Sequence, residues 1–220
     1  MGLKAPVTEN KSFKAQEPLE PGTYSARVVQ IIDMGLQPQR EWMGKAKPPA
    51  QVINITYELS DEFMKDEDGN DIEDKPRWIS EMITLRSLSS DKATSTLRYK
   101  VFDPDNVFGG DFSLCIGVPV MITIANNQKD GRIYNNISAV GQMRERDVKR
   151  CPPLVNKGVF FDLDDPDVSV FNSFPQFIKD RITKNLNYNG SVLQKRLSEV
   201  PSKEEEEEQA PEITEENSPF

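Results

Sequence analysis

The chain has 220 residues, with 27 Lys and Arg against 36 Asp and Glu for a net charge of -9, and no histidine. That length suits one ordinary domain with tails, or two small ones. Without imidazole, serine and cysteine hydrolases and most zinc sites are disfavoured. Two cysteines, Cys115 and Cys151, are too few for a structural zinc or a disulfide framework and read as free thiols in a reducing compartment.

Apolar stretches such as Val28–Ile32 and Val118–Ala125 fall well short of the ~20 residues that a membrane span needs, and the N-terminus shows no basic-then-apolar leader. A soluble cytoplasmic chain with no membrane contact is expected. Its charge is unevenly spread. From Lys203 to Phe220 eight glutamates face one lysine for -7, and Ser60–Lys75 carries -6, which leaves +4 for everything else. The surplus concentrates in Leu36–Pro49 at +2, Arg86–Lys100 at +3 and Lys129–Arg150 at +3.

Residues 1–20 are mixed in charge, contain Pro6 and Pro18 and show no sustained period, so they read as an arm. After Pro21-Gly22, Tyr24–Asp33 reads as a strand with Tyr24, Ala26, Val28 and Ile32 on one side and Arg27 on the other. Following a polar connection, Gln51–Leu59 alternates, placing Ile53, Ile55, Tyr57 and Leu59 inward and Asn54, Thr56 and Glu58 outward. Arg77–Leu85 is the third strand, joined to the second through Asp68-Gly69-Asn70 in a long hairpin. The glycine of this acidic turn is misplaced for an EF-hand and no glutamate closes the loop, so a solvated turn is favoured over a calcium site.

Asp91–Lys100 predicts a short helix capped at Asp91, with Ala93 and Leu97 on one face. Val118–Ala125 and Ile133–Val140 follow as strands around the Lys129-Asp130-Gly131-Arg132 turn. Pro152–Asp167 reads as an extended connector, in which Asp164-Asp165 has no rigid element to make it an acid–base pair. Phe174, Phe177, Ile178 and Ile182 form a helical apolar stripe, and Ser191–Leu197 adds a further turn or two. After Pro201 the tail has only Ile213 and Phe220 as large apolar groups and is expected to be disordered.

Five strands with one helix between the third and fourth is the connectivity of an OB-fold, the small, partly open barrel that often binds oligonucleotides. The expected fold is mainly β: a five-stranded OB-fold barrel, a small C-terminal helical appendage and an acidic tail. The expected divisions are an arm at 1–20, the OB-fold domain at 21–145, a connector and appendage packed on the barrel at 146–200, and the tail at 201–220.

Leu36–Pro49 is then the loop between the first two strands, and it holds Arg40, Trp42, Lys45 and Lys47. Cations can follow phosphates while an indole stacks on an exposed base. Trp42 equally suits folding inward to pin the loop. Lys129, Arg132 and Tyr134 occupy the other flanking hairpin, with Tyr134, Asn136 and Ser138 opposite Ile133 and Ile137. Arg27 and Trp78 complete the candidate contacts; for Trp78 a core position is favoured over base stacking. No metal or cofactor is expected.

The tail ends Glu215-Glu216-Asn217-Ser218-Pro219-Phe220 and resembles the tails of bacterial single-stranded DNA-binding proteins, which finish with acidic residues and Pro-Phe. A terminal phenyl can fill an apolar pocket while its carboxylate and the acidic run meet a basic rim, which makes Glu215, Glu216, Pro219 and Phe220 candidate contacts for replisome or recombination proteins. Pro21-Gly22-Thr23-Tyr24, the run Glu73 to Ser80 (Glu-Asp-Lys-Pro-Arg-Trp-Ile-Ser) and Phe108-Gly109-Gly110-Asp111-Phe112 resemble the single-stranded DNA-binding proteins encoded by tailed bacteriophages, over about residues 20–197. This resemblance implies a non-enzymatic replication and recombination factor that coats single strands in the cytoplasm of an infected bacterium, with homo-oligomerisation open. A recombination mediator and a protein-interaction module on an OB-like barrel are the alternatives, since fold alone does not give function.

Overall fold

The computed structural model describes residues 16–41 and 43–199, so Trp42 and the acidic tail lie outside the described residues. Three long strands come first: β1 (Gly22–Gln37), β2 (Ala50–Lys65) and β3 (Asp71–Thr84). Helix α1 (Thr94–Phe102) precedes β4 (Pro119–Lys129) and β5 (Arg132–Gln142). After the short α2 (Glu145–Val148) come β6 (Val159–Phe161), α3 (Val168–Ser173), α4 (Gln176–Thr183) and α5 (Val192–Glu199). The chain is therefore mainly β, an open six-stranded sheet in the order β3-β2-β1-β4-β5, antiparallel except where β6 pairs parallel with β1. The expected count of five strands is corrected: the proline-punctuated connector contains β6, which takes the edge of β1 that β4 vacates after Arg27.

The strand β1 slips twice against β2. Val28 pairs with Tyr57 but Gln30 with Thr56, so one residue is extra and the alternation changes phase. Ala26, Val28 and Ile31 consequently share the first core with Ile55, Tyr57 and Leu59 from β2 and Val120 and Ile122 from β4. Ile32, expected beside Ala26, instead joins Met34 and Val52 on the opposite face. There Phe161, Phe171, Phe174, Ile178, Ile182 and Leu193 cover it as a second core. The outward positions Asn54, Thr56 and Glu58 are therefore buried too, a correction to the simple in–out reading of β2. Phe177, assigned to the apolar stripe, is exposed.

Helix α1 starts later than Asp91, with Ala93 as its unassisted N-cap; Asp91 pairs instead with Lys100 at 2.8 Å. Its buried side carries Tyr99 and Phe102, whereas Leu97 faces solvent. Tyr99 and Phe102 each meet Phe112 edge-on. Glu81, which faces inward from β3, is answered by a bidentate Arg98 at 2.7 and 2.9 Å and by the Tyr57 hydroxyl at 2.8 Å. That matching is what a carboxylate in an apolar interior requires. Asp103 accepts from the Val107 and Phe108 amides, and the Tyr99 hydroxyl accepts from Gly110 N–H, so residues 108–112 form a turn locked onto α1.

β3 and β5, the two ends of the sheet, come within 8 Å at their Cα atoms without forming a ladder. The segment 16–20 links this seam. Leu19 is buried in the first core, and its N–H and C=O pair with the Asn135 side chain at 2.8 and 2.9 Å. Gln16 exchanges two hydrogen bonds with the Lys65 backbone, and Arg77 donates to the Glu17 carbonyl. Asn135→Ala is expected to cost about 1–3 kcal/mol by leaving two backbone groups of the segment unmatched, read as a lower denaturation midpoint.

A second slip in β1, between Asp33 and Leu36, places Gly35 at φ 74°, with Asn185 so close that a Cβ would lie 2.7 Å from its Cγ. Asp33 accepts from Gly35 N–H and the Gln51 amide, yet burial lifts its carboxyl above the usual range, with Asp162 and Asp164 adding to the rise. A raised folded pKa favours the protonated form, so this contribution is complete below the unfolded pKa and is lost as pH rises through the folded one. Asp33→Asn keeps an acceptor. It is expected to raise the melting temperature at neutral pH, with the gain shrinking as pH falls towards about 4, as thermal scans across pH would register.

Candidate nucleic-acid interface

The sheet arranges the predicted contact residues in three places. In the middle, on the outer face of the first three strands, Glu58 lies directly across from Trp78. Glu58 is only 4% exposed, and its carboxylate accepts from Val155 N–H at 2.7 Å, from Asn156 N–H and Nδ2 at 3.3 and 2.7 Å, and from Trp78 Nε1 at 3.2 Å. Four donors offset the loss of water around a buried anion. Trp78 is 45% exposed, so the favoured core position is corrected: its ring covers the connector's anchor from outside both cores.

Arg27, beside them, donates to the carbonyls of Pro152 at 2.6 Å, Gly117 at 2.7 Å and Cys151 at 3.0 Å. Its fork is turned to backbone oxygens, where it secures the same connector. Arg27, Glu58, Phe63, Pro76, Pro152 and Leu154 border a cavity of about 270 Å³ beneath that connector.

The second place is the end of β1 at Gln37. Arg40, Lys45 and Lys47 are exposed on the loop that follows, which turns through Met43 and Gly44 at positive φ. The end of β3 joins this loop, since Leu85 N–H donates to the Gln51 carbonyl at 2.8 Å and the Thr84 hydroxyl to Gln39 at 3.3 Å. Arg86, next along the chain from Leu85, thus adds an exposed cation at this end, and Lys92 is exposed further along the same segment. None of Arg40, Lys45, Arg86 and Lys92 forms an ion pair with a carboxylate among the described residues. The surplus charge of Arg86–Lys100 was the signal for this addition, but only pairing of β3 with β2 brings it to the loop.

The third place is the opposite end. β4 pairs with β1 only up to Ile124, so residues 125–129 and 132–136 stand beyond Gly22 as a two-stranded ribbon. Asp130 and Gly131 both have positive φ, as a two-residue hairpin turn requires. The pairs Lys129–Arg132, Asn127–Tyr134 and Ala125–Asn136 put one face together: two cations, a 47% exposed Tyr134 and two amides. On the other face Asn126 and Asn135 hold each other and the segment at Leu19. β1, which separates the two basic ends, has 16 residues and a contour of about 50 Å.

Carboxylates gather elsewhere. Glu17, Glu20, Glu62, Asp66 and Glu67 line a cleft between the segment at 16–20 and the β2–β3 hairpin. Asp66 closes that hairpin by accepting from the Asp68 and Asn70 amides, and the Asn70 hydrogen bond leads in holding its carboxyl below the usual range. Among the described residues no group of three carboxylates or thiols is arranged to hold a metal ion. Burial pushes the Cys115 thiol up to about 12. No helix among the described residues is long and apolar enough to cross a membrane. Glu215, Glu216, Pro219 and Phe220 lie outside the described residues.

Glu58→Ala would strand the donors of Val155, Asn156 and Trp78. It is expected to cost about 1–3 kcal/mol and to speed amide exchange at Val155 and Asn156; exchange unchanged there would show that the connector does not depend on the carboxylate. Set beside protein-family models and curated proteins, the chain matches none of them.

Proposed function

We propose that this protein binds single-stranded DNA without sequence preference, as a non-enzymatic factor in bacteriophage DNA replication and recombination within the infected bacterium's cytoplasm. The barrel in this reading is an OB-fold, with β6 and helices α3–α5 as additions. The sheet order and the placement of α1 between β3 and β4 support it, as does the approach of β3 to β5. The acidic tail recruits replication proteins through Phe220 in the same reading.

One observation carries the nucleic-acid part. Lys129 and Arg132 are directly opposite on the ribbon, a like-charge pair that costs stability in a bare sheet and that a bound phosphate would relieve. Tyr134, on the same exposed face, offers a ring for base stacking.

The covered face of β2 and β3 favours a second reading. OB-fold proteins use the face of strands two and three for oligonucleotides, and here Glu58 and the connector occupy it. That supports a protein-interaction module or a recombination mediator with weak strand affinity.

Titration with labelled oligonucleotides separates these readings. Tight, length-dependent binding that prefers single strands over duplex is expected, with a log–log salt slope of about -0.7 per phosphate contact. Tyr134→Ala should weaken it by about 1–3 kcal/mol, and replacing Lys129 and Arg132 should flatten the slope by about 0.7 for each phosphate no longer neutralised. Absence of binding even at low salt would overturn the proposal in favour of the interaction module.

A further inference from the structure

Helix α4 is held by Ile178 and Ile182, both buried in the second core. Its solvent side carries Phe177 and Arg181 at positions i and i+4, and Lys184, the residue that caps its C-terminus, follows at i+7 in line with them. Phe177 is 64% exposed, and Arg181 and Lys184 are exposed as well. Neither cation forms an ion pair with a carboxylate among the described residues. Asp180, the acidic neighbour of the stripe, accepts from Gln176 Nε2 at 2.6 Å.

The position of this stripe is set by two hydrogen bonds to the end of β1. The buried Gln37 amide donates to the Arg181 carbonyl at 3.0 Å, and Leu186 N–H donates to the Leu36 carbonyl at 2.9 Å. α4 is thus tied to the last two residues before the loop of Arg40, Lys45 and Lys47. On the far side of Gly35, Asp33 and Asp164 line a separate cavity of about 320 Å³ with Asn185 and Ser191.

We propose that the Phe177–Arg181–Lys184 stripe of α4 is a further single-stranded DNA contact, continuing the basic loop at the Gln37 end of β1. This rests on the single-strand reading above. Phe177 stacks on a base while Arg181 and Lys184 take flanking phosphates, a ring and two cations on a helix whose other side is immobilised by packing. The helical appendage is thereby part of the binding surface as well as cover for the outer face of the sheet. A strand engaged at this end needs no access to the face closed by Glu58.

The test compares the full chain with Phe177→Ala, Arg181→Ala/Lys184→Ala and the reversal Arg181→Glu/Lys184→Glu, using a labelled poly-dT oligonucleotide long enough to reach both ends of β1. Phe177→Ala is expected to weaken binding by roughly 5- to 150-fold. The double alanine variant should lower the salt slope by about 1.4, the share of two phosphate contacts, and the reversal should be worse at low salt. Melting temperatures close to that of the parent chain are expected for all three; should Phe177→Ala lower it, the two cation variants decide through the salt slope.

Parent binding with unchanged affinity and slope in the variants overturns the α4 contact and leaves the single-strand reading standing. No binding by the parent chain at low salt overturns both. Unchanged DNA binding together with failure to capture a glutamate-rich peptide would make the stripe a protein contact and likewise overturn the inference.

Discussion

A β-strand alternates its side chains strictly, so an ordinary strand can supply each of its faces with only every second residue. β1 escapes this limit by carrying one extra residue between Val28 and Gln30, which reverses the phase of the residues that follow until the second slip beyond Asp33. Val28 and Ile31 therefore both enter the first core, and Ile32 and Met34 are left to found a second on the outer face. The helices from α3 to α5 have only short apolar faces and gain a core by sharing that one with β1, β2 and Phe161 of β6. Removing the slip would turn Ile32 and Met34 towards the first core and leave the appendage with little to cover.

The same arrangement decides where polar groups can go. Once the outer face is covered, Glu58 needs partners, and the connector supplies them through Val155 and Asn156 while Arg27 meets the carbonyls of Cys151 and Pro152. On the inner face of the sheet the Glu81–Arg98 pair plays a parallel part, joining α1 to β3 with the Tyr57 hydroxyl in the network. Tyr57 is held protonated well above its usual range, chiefly by burial and then by the neighbouring Glu81 charge. Each of these charges is saturated by neighbours, which suits structural anchors better than ligand contacts.

Exposed charge follows a different pattern. Acidic groups collect on the β2–β3 hairpin and the segment beside it, whereas cations occupy the β4–β5 ribbon, the loop after β1 and the solvent side of α4. A net charge of -9 conceals this separation. A polyanion meeting this surface would be attracted at those cationic places and repelled from the hairpin.

Local chemistry made much of the fold legible. Alternation marked five strands in order, Asp68-Gly69-Asn70 and Lys129-Asp130-Gly131-Arg132 marked two hairpins, and the exposed cations of both loops were visible as charge surplus. β6 was not, because three residues in a proline-punctuated run carry no period and become a strand only against the vacated edge of β1. The faces of α1 were misassigned because Ala93 and Leu97 share a spacing that Tyr99 and Phe102, larger and able to pack on Phe112, override. The roles of Arg27 and Trp78 depended on Cys151–Asn156, more than seventy residues away, and no neighbouring sequence encodes such a contact. By itself, then, the sequence determined element order, turn positions and the uneven distribution of charge, since these follow from propensity and composition within a few residues. Only the tertiary structure decided which face each strand buries and which cations remain unpaired, because those depend on a one-residue slip and on partners brought from far along the chain.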